Sequence, residues 1–259
     1  MKKNEREKIL IEKLHLNKKI ELNEAVEMLN VSESTARRIF NELEENGKAI
    51  RTHGGIVPAL GNNPEYSFEL LMKSHFDEKM AIGELAAAEI QDGDIVYLDC
   101  GTTVLSLCFK IALLLREGYL KNTQFFSNSL ANLEVLAPIT QVNLIGGRYR
   151  PNRKDFSGYT AEIILRELHF TKAFLGTDGI SPPICFNATD FDTARLNQLV
   201  IAGSERVYVL CDYSKFGKRS LISYANAEDV DAVISDGKIE EASVEMLEAA
   251  GIRMIKTAN

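Results

Sequence analysis

The chain has 259 residues, 45% of them hydrophobic and 26% charged, which suits one medium-sized domain joined to a smaller one. No run approaches the roughly eighteen apolar residues of a membrane span. The opening MKKNEREKIL is too charged for a secretion signal, so we expect a cytoplasmic protein with no membrane partner. The four cysteines form no C-x-x-C pair, which predicts buried free thiols and neither a disulfide framework nor a metal site.

The net charge of −7 is spread unevenly along the chain. Residues 1–60 hold 11 Lys and Arg against 10 acidic residues, a balance of +1, whereas residues 61–259 hold 19 against 27, a balance of −8. An acidic chain is not a general nucleic-acid binder. Any contact with DNA must therefore come from a local basic patch, and the first sixty residues are the candidate.

Two short helices are predicted at the start of the chain, followed by a tight turn at Asn30-Val31. Apolar residues recur at helical spacing in both. The predicted apolar faces comprise Ile9, Leu10 and Leu14 in the first helix and Leu22, Val26 and Leu29 in the second. A third helix is predicted over SESTARRIFNELEENG, with Ser32 as its N-cap and Gly47 as its C-terminal stop.

The third helix carries a core stripe of Ala36, Phe40 and Leu43, and polar residues lie off that stripe. Its N-terminal half is the part that enters the major groove in helix-turn-helix proteins, and arginine forks there grip phosphate or guanine edges. The next stretch, KAIRTHGGIVP, predicts a short hairpin, or wing, around Ile50 that turns at Gly54-Gly55. The candidate DNA-contacting residues are Ser32, Ser34, Thr35, Arg37, Arg38, Asn41, Arg51, His53, Gly54 and Gly55. The alternative is a solvated helix pair whose arginines face water.

From residue 77 onward the chain alternates strand and helix patterns. Seven apolar runs predict strands, at 94–98, 123–126, 142–145, 172–176, 206–210, 231–234 and 252–256. Helical patterns such as AEIILREL and IEEASVEMLEAA lie between most of them. This alternation predicts a parallel or mixed sheet covered on both faces, a doubly wound α/β domain.

Small and polar residues follow five of the predicted strands, in DCGTT, SNS, GGRYR, GTDG and DYSKFG. Ligands bind where strands of such sheets end and helices begin. Glycine lets backbone N–H groups approach an anion, and hydroxyls add donors at a helix N-terminus. The candidate ligand-contacting residues are Asp99, Gly101, Thr102, Thr103, Ser127, Asn128, Ser129, Gly146, Gly147, Arg148, Arg150, Gly176, Asp178 and Lys215. For each loop taken alone, plain helix capping is the alternative.

The sequence contains no G-x-x-x-x-G-K-[ST], G-x-G-x-x-G or G-x-S-x-G motif, so we expect no cofactor and assign no catalytic residue. A sugar-phosphate isomerase with an accessory N-terminal module is one alternative function. It would need a general base and a cation, and Asp99, Asp178 and Lys215 are the residues available. No second carboxylate is placed beside Asp178 by the sequence. A third possibility is a protein-interaction module with a degenerate pocket.

Motifs along most of the chain resemble the DeoR family of bacterial transcriptional repressors. They are the Arg37-Arg38 pair followed by Arg-x-His-Gly-Gly, and the stretches LDCGTT, SNS, LIGG, GTDGI and CDYSKFGK. The resemblance implies an N-terminal winged helix-turn-helix and a larger doubly wound α/β sensor domain resembling ribose-5-phosphate isomerase. It also implies a repressor of carbohydrate metabolism genes that binds operator DNA and is controlled by a phosphorylated sugar or related metabolite.

The sequence departs from the family pattern at a few places. Ile39-Phe40 replaces the usual Asp-Leu, and Leu70-Leu71 stands where an arginine is common. Thr193, Arg195 and Asn197 lie around the positions that often hold Glu and Lys, and the loop SPPICFNATD lacks the usual glycine.

Three segments are expected: the winged helix-turn-helix at 1–57, a linker at 58–76 that becomes helical, and the sensor domain at 77–259. One winged module offers only a modest basic surface on an acidic chain. Specific DNA binding therefore needs two modules on neighbouring half-sites, which predicts a homo-oligomer, a dimer or a tetramer.

Overall fold

The chain forms two compact units, Met1–Leu70 and Leu71–Asn259. They are seen in a computed structural model, which describes residues 3–17, 19–45, 49–52, 54–58 and 67–258.

Helices α1 (Lys3–Asn17), α2 (Leu22–Leu29) and α3 (Glu33–Glu45) pack together in the first unit. Helix α2 ends where Asn30 adopts a left-handed conformation, with φ of 48°. The buried residues of this core include Leu10, Leu14, Ala25, Leu29, Ala36, Ile39, Phe40 and Leu43. The three predicted helices, the turn between the last two and the core stripe of α3 are confirmed. Gly47, the predicted stop of α3, lies outside the described residues.

A three-stranded antiparallel sheet completes the first unit. Strands β1 (Ile20–Glu21), β2 (Ala49–Arg51) and β3 (Gly55–Pro58) lie in the order β1-β3-β2. The predicted wing is confirmed as β2 and β3, but the predicted turn is displaced because Gly55 already belongs to β3, opposite Glu21. A Cβ at Gly55 would lie 1.9 Å from the Ile20 carbonyl oxygen, so this glycine permits the close approach of β1 and β3.

Helix α4 (Phe68–Lys73) contains the boundary between the two units, since the first unit ends at Leu70. It lies within the predicted linker, residues 58–76. Residues 59–66 of that segment lie outside the described residues, and the predicted domain boundaries stay a prediction.

The second unit alternates strands and helices. Its strands are β4 (Ile95–Leu98), β5 (Gln124–Ser127), β6 (Val142–Leu144), β7 (Arg148–Arg150), β8 (Asp155–Ser157), β9 (Phe170–Gly176), β10 (Gly179–Ser181), β11 (Cys185–Ala188), β12 (Ser204–Leu210), β13 (Ile222–Asn226), β14 (Ala232–Ser235) and β15 (Arg253–Lys256). Its helices are α5 (Phe76–Ala87), α6 (Thr102–Arg116), α7 (Leu130–Leu136), α8 (Tyr159–Arg166), α9 (Phe191–Ala202) and α10 (Glu241–Ala249). Two short 3-10 turns cover Tyr213–Lys215 and Ala227–Asp229.

Seven strands form one parallel sheet in the order β15-β14-β12-β9-β4-β5-β6. The chain proceeds from β4 to β5 and β6 on one side, then crosses to β9 on the other side of β4 and continues outward. Between β4 and β9 the strand order reverses, so the carboxyl ends of these two strands form the topological switch point, where doubly wound sheets bind ligands. All seven predicted strands belong to this sheet and are confirmed.

The sheet is covered on both faces, as its apolar strands predict. In β9 and β12, Leu175 and Val209 pack into a core shared with α8 and α9. The residue before each of these, Phe174 in β9 and Tyr208 in β12, is also buried, and the two rings stack with their centroids 4.9 Å apart. Since alternate residues of a strand point to opposite faces, those rings lie on the other face, where α6 contacts β9.

Short strands outside the main sheet were not predicted. Residues 148–150, expected as part of a loop, form β7, which pairs with β8. Residues 185–188, also expected in a loop, form β11, which lies between β10 and β13. These elements depend on partners elsewhere in the chain, and the local pattern of a three- or four-residue strand does not encode them.

Candidate DNA-contacting surface and ligand site

Hydroxyl groups cluster at the start of α3. The Ser32 Oγ accepts a hydrogen bond from the Thr35 N–H at 3.3 Å and lies 3.0 Å and 2.9 Å from the hydroxyls of Ser34 and Thr35. Ser32 and Ser34 are exposed and Thr35 is half-buried. The predicted N-cap is confirmed, and the cap also leaves hydroxyl groups on the surface at the end of α3 that enters DNA in helix-turn-helix proteins.

The two arginines of α3 differ in their contacts. Arg37 donates from Nε and Nη2 to the Glu33 Oε1, at 3.1 Å and 2.5 Å. Arg38 is exposed, and within the described part of the chain no side chain or carbonyl binds its guanidinium. The side chains of Glu33 and Arg37 are both more than half exposed, so the ion pair between them is weak, and Arg37 can easily exchange it for a contact with another partner.

The wing is tied to α3 by Arg51. Its guanidinium donates to the Asn41 side-chain oxygen, and its N–H donates to the Glu44 carboxylate at 3.0 Å. A recess of about 350 Å³ lies beside this contact, and Arg37, Gly54 and Gly55 contribute to its lining. His53 lies outside the described residues. Asn41 and Arg51, which were both predicted to contact DNA, are thus hydrogen-bonded to each other.

At the switch point, Asp99 ties the ends of β4 and β9 together. Its N–H donates to the Phe174 carbonyl, and its carboxylate accepts the Gly176 N–H, both at 3.0 Å. Burial raises the pKa of Asp99, although the N–H groups of Gly176 and Cys100 act in the opposite direction. The predicted neighbours Asp99, Gly101 and Gly176 are therefore brought together here.

Helix α6 begins at this switch point without a side-chain cap. Gly101 is the N-cap residue, and among the residues that the structure describes no side chain accepts a hydrogen bond from the N–H groups of the first turn. A Cβ at Gly101 would meet the Gly176 Cα at 3.6 Å, an ordinary van der Waals distance, so packing does not require glycine there. Thr102 and Thr103 are buried at the start of the helix. The uncapped N–H groups and the positive end of the helix dipole suit an anion.

The last residue of β5, Ser127, and the two residues after it, Asn128 and Ser129, are buried beside the switch point. The Ser127 hydroxyl donates to the Leu98 carbonyl at 2.7 Å. The Asn128 side chain accepts from the Tyr97 hydroxyl at 3.1 Å. Ser129 caps α7, which is the capping alternative foreseen for such loops.

Two glycines precede β7 in the predicted loop after β6. A Cβ at Gly147 would lie 2.5 Å from the Ser157 carbonyl oxygen, so Gly147 serves the packing of β7 against β8. A Cβ at Gly146 would have no contacting atom within 4 Å, so packing does not require glycine there. Arg148, which follows, is exposed and pairs with Asp192 at the start of α9.

Arg150 is held in a buried ion-pair network. It makes two hydrogen bonds to Asp155, at 2.7 Å and 2.6 Å, one to Asp190 at 2.7 Å and one to Thr193 at 3.0 Å. Asp155 is fully buried, and Arg153 lies 3.2 Å from Asp190. Burial alone would raise the pKa of Asp190, but the Arg153 charge and the hydrogen bonds from Thr193 lower it. Arg150 is thus fully engaged by carboxylates.

The remaining candidates lie after β9 and β12. Asp178 accepts the Thr189 N–H at 2.9 Å, which fixes the segment between β11 and α9. Asp212 accepts the Ser214 N–H at 2.9 Å and shapes the turn that carries Lys215. Lys215 is half-buried, and no described residue pairs with its ammonium group. Of the three predicted cations, Lys215 is the one that stays available.

Several polar residues at this edge were missed by the sequence analysis. Arg153, Asp155 and Asp190 complete the network of Arg150, and no local pattern announces pairs up to 40 residues apart. Lys79 is 4% exposed on α5. A signal for it existed, because Lys79 lies at helical spacing with the buried Ile82 and Ala86.

The prediction of buried free thiols is confirmed for Cys100, Cys108 and Cys211, and burial raises the pKa of each of these thiols. Cys185 is also free, but it is only half-buried, so the prediction of burial is wrong there. Across residues 3–17, 19–45, 49–52, 54–58 and 67–258, no group of His, Cys, Asp or Glu is arranged to hold a metal ion. In the same ranges every helix is too short or too polar to cross a membrane.

A winged helix-turn-helix is a DNA-binding fold, and here it is joined to a parallel α/β unit of the kind that binds ligands at its topological switch point. Residues 6–59 match the family model of the DeoR-like helix-turn-helix domain, and residues 74–237 match that of the DeoR C terminal sensor domain. The chain belongs to the DeoR family of DNA-binding transcriptional regulators.

Named relatives are similar over nearly the whole chain. The transcriptional regulator GlpR of Haloferax volcanii is 30% identical, covering 88% of this chain and 87% of its own. The lactose phosphotransferase system repressor of Streptococcus mutans is 31% identical, covering 91% and 93%. Among solved structures, ribose 5-phosphate isomerase A from Methanocaldococcus jannaschii is 17% identical over 55% of each chain, with a TM-score of 0.42. The relatives are named as regulators and repressors, so the chain is a regulator and the isomerase alternative is rejected.

Proposed function

We propose that the chain represses carbohydrate metabolism genes and that its second unit senses a phosphorylated sugar or related metabolite. A relative named as a lactose phosphotransferase system repressor supports the link to carbohydrates. The uncapped start of α6 at the switch point is the observation that carries the proposal of an anionic ligand.

The phosphate lies against the backbone N–H groups of Gly101, Thr102 and Thr103 in this proposal. Lys215 supplies the counter-charge, because no described residue pairs with its ammonium group. Arg150 is held by Asp155 and Asp190, and Arg148 would first have to exchange its exposed contact with Asp192. Asp99 and Asp178 keep structural roles, since both already accept backbone N–H groups. In this proposal the site binds the sugar phosphate, and both candidate bases are already held by backbone hydrogen bonds.

Operator DNA is bound by α3 and the wing, and two copies of the chain act together on neighbouring half-sites. The exposed hydroxyls at the start of α3 and the exposed Arg38 support this placement. The assembly is a homo-oligomer, a dimer or a tetramer, because a single module presents only a small basic surface.

Arg38→Ala should weaken operator binding by about 1–3 kcal/mol if Arg38 reads a base edge. Arg37→Ala should cost no more than this, because Arg37 must first exchange its contact with Glu33. Gel-shift titrations of both variants, repeated on non-operator DNA, measure the two losses. Wild-type operator affinity in both variants would contradict the placement of α3 in the groove.

Lys215→Ala should weaken binding of the effector by roughly tenfold to a hundredfold, because a charge-assisted hydrogen bond contributes about 1.5–3 kcal/mol. Calorimetric titration with a panel of hexose and pentose phosphates identifies the ligand on the wild type and then measures the variant. Lys218→Ala is the matched control, since Lys218 is an exposed lysine of the same loop. If Lys215→Ala and Lys218→Ala bind the effector with equal affinity, the placement of the phosphate between the start of α6 and Lys215 is rejected.

A further inference from the structure

The junction between α4 and α5 rests on the turn that carries Lys215. His75, at this junction, has a left-handed backbone with φ of 53°. Its ring meets the ring of Tyr213 edge-on, with centroids 5.3 Å apart. Tyr213 lies two residues before Lys215, so the junction touches the element that holds the free cation of the proposed ligand site.

Lys79 fixes the other side of the junction. It is buried in the first turn of α5, and its ammonium donates to the carbonyls of Leu71 and Ser74, the latter at 2.8 Å. These carbonyls belong to the end of α4 and to the residue just after it, where a helix has no backbone donors of its own. The side chain of Lys79 therefore holds the end of α4 against α5.

A second set of contacts clamps Tyr213 itself. Its N–H donates to the carboxylate of Asp236, the residue just after β14, at 2.8 Å. Lys238 lies 5.7 Å above its ring and pairs with Glu78 of α5 at 2.5 Å. The turn with Lys215 and the start of α5 are thus joined through one tyrosine ring.

The charges of this region are coupled. The pKa of Lys79 is lowered to about 8, chiefly by burial; the charges of Asp212 and Glu78 act in the opposite direction, and the charge of Lys215 acts with burial. An anion that arrives beside Lys215 offsets the repulsion between the two lysines. The free energy of the Lys79 contacts therefore differs between the empty and the ligand-bound sensor.

We propose that Lys79 and Tyr213 are positioning residues that transmit ligand binding at Lys215 to the end of α4. The inference rests on the proposed function, because it requires an anionic effector at that site. Helix α4 begins at Phe68 in the first unit, so a change at its end reaches the chain segment that enters the DNA-binding unit. In this mechanism the junction carries the coupling and contacts neither the effector nor the DNA.

The test measures operator affinity with and without the best-binding sugar phosphate, together with the affinity for that sugar phosphate alone. The wild type should show a coupling factor in the range of about 5 to 150. Lys79→Met and Tyr213→Ala should reduce this factor to below about 3, while each separate affinity stays within about threefold of wild type. Lys73→Met, the same change at an exposed lysine of α4, and Tyr213→Phe, which keeps the ring, should retain wild-type coupling.

The possible outcomes are separable. A wild type that couples, with Lys79→Met and Tyr213→Ala coupling equally well, overturns the inference and leaves the proposed function intact. A wild type that binds no sugar phosphate, or binds one without any change in operator affinity, overturns the proposed function and the inference with it. Thermal unfolding of each variant verifies folding, and if Lys79→Met does not fold, Tyr213→Ala decides.

Discussion

Arg150→Ala should lower the free energy of unfolding by about 3–5 kcal/mol, because removing one partner of a buried ion pair leaves an uncompensated charge. The Arg150 side chain is 16% exposed, and its partner Asp155 is fully buried. Loss of the guanidinium removes two hydrogen bonds from Asp155 and one each from Asp190 and Thr193. Urea denaturation monitored by circular dichroism measures the change.

Arg148→Ala is the matched control for this experiment. Arg148 lies two residues away in the same strand, and its ion pair with Asp192 is exposed, so its removal should cost less than about 1 kcal/mol. Equal losses in the two variants would show that burial of the Arg150 network does not determine its contribution.

Gly101→Val should reduce effector affinity by more than about a hundredfold, a larger loss than that of Lys215→Ala. Its side chain would occupy the space through which the phosphate approaches the N–H groups of α6. The fold should persist, because Gly101 has an extended backbone and its Cβ would make only ordinary contacts. Calorimetric titration of the wild-type ligand gives the affinity, and thermal unfolding gives the stability.

Gly101→Ala separates ligand binding from helix capping. The smaller methyl group should give an intermediate affinity at nearly wild-type stability. If both variants instead lose stability and affinity in proportion, Gly101 serves only to start α6, and the placement of the phosphate against the N–H groups of α6 is wrong.

The main elements of the fold were predictable because their patterns are local. The apolar runs at 94–98 and 206–210 correspond to β4 and β12, and three of the four buried core residues of α3, all but Ile39, were predicted. Strands β10, β11 and β13 were not predictable, since Phe186 of β11 pairs with Ala225 of β13, far along the chain. Strand β1, with two residues, has no pattern of its own.

The position of the ligand site was predictable, and its chemistry only in part. Strand ends of a parallel sheet meet at one edge, which brings Gly101 and Gly176 together. The sequence could not separate Arg150 from Lys215 as counter-charge, because the carboxylates that occupy Arg150 come from β8 and the start of α9. The sequence also could not show that the side chains of Ser127, Asn128 and Ser129 are buried and form hydrogen bonds within the fold, which leaves them unavailable to a ligand.

In the proposed mechanism, an anionic effector in the second unit controls the DNA affinity of the chain. Fluorescence anisotropy of a labelled duplex, selected by the protein from random DNA, tests it directly in the presence of each sugar phosphate and of its unphosphorylated sugar. We expect one phosphorylated compound to change the dissociation constant by a factor of about 5 to 150 and to be recovered unchanged, and we expect its unphosphorylated form to have no effect. A dissociation constant that no sugar phosphate alters, or conversion of the sugar phosphate to its isomer, would contradict the proposed mechanism.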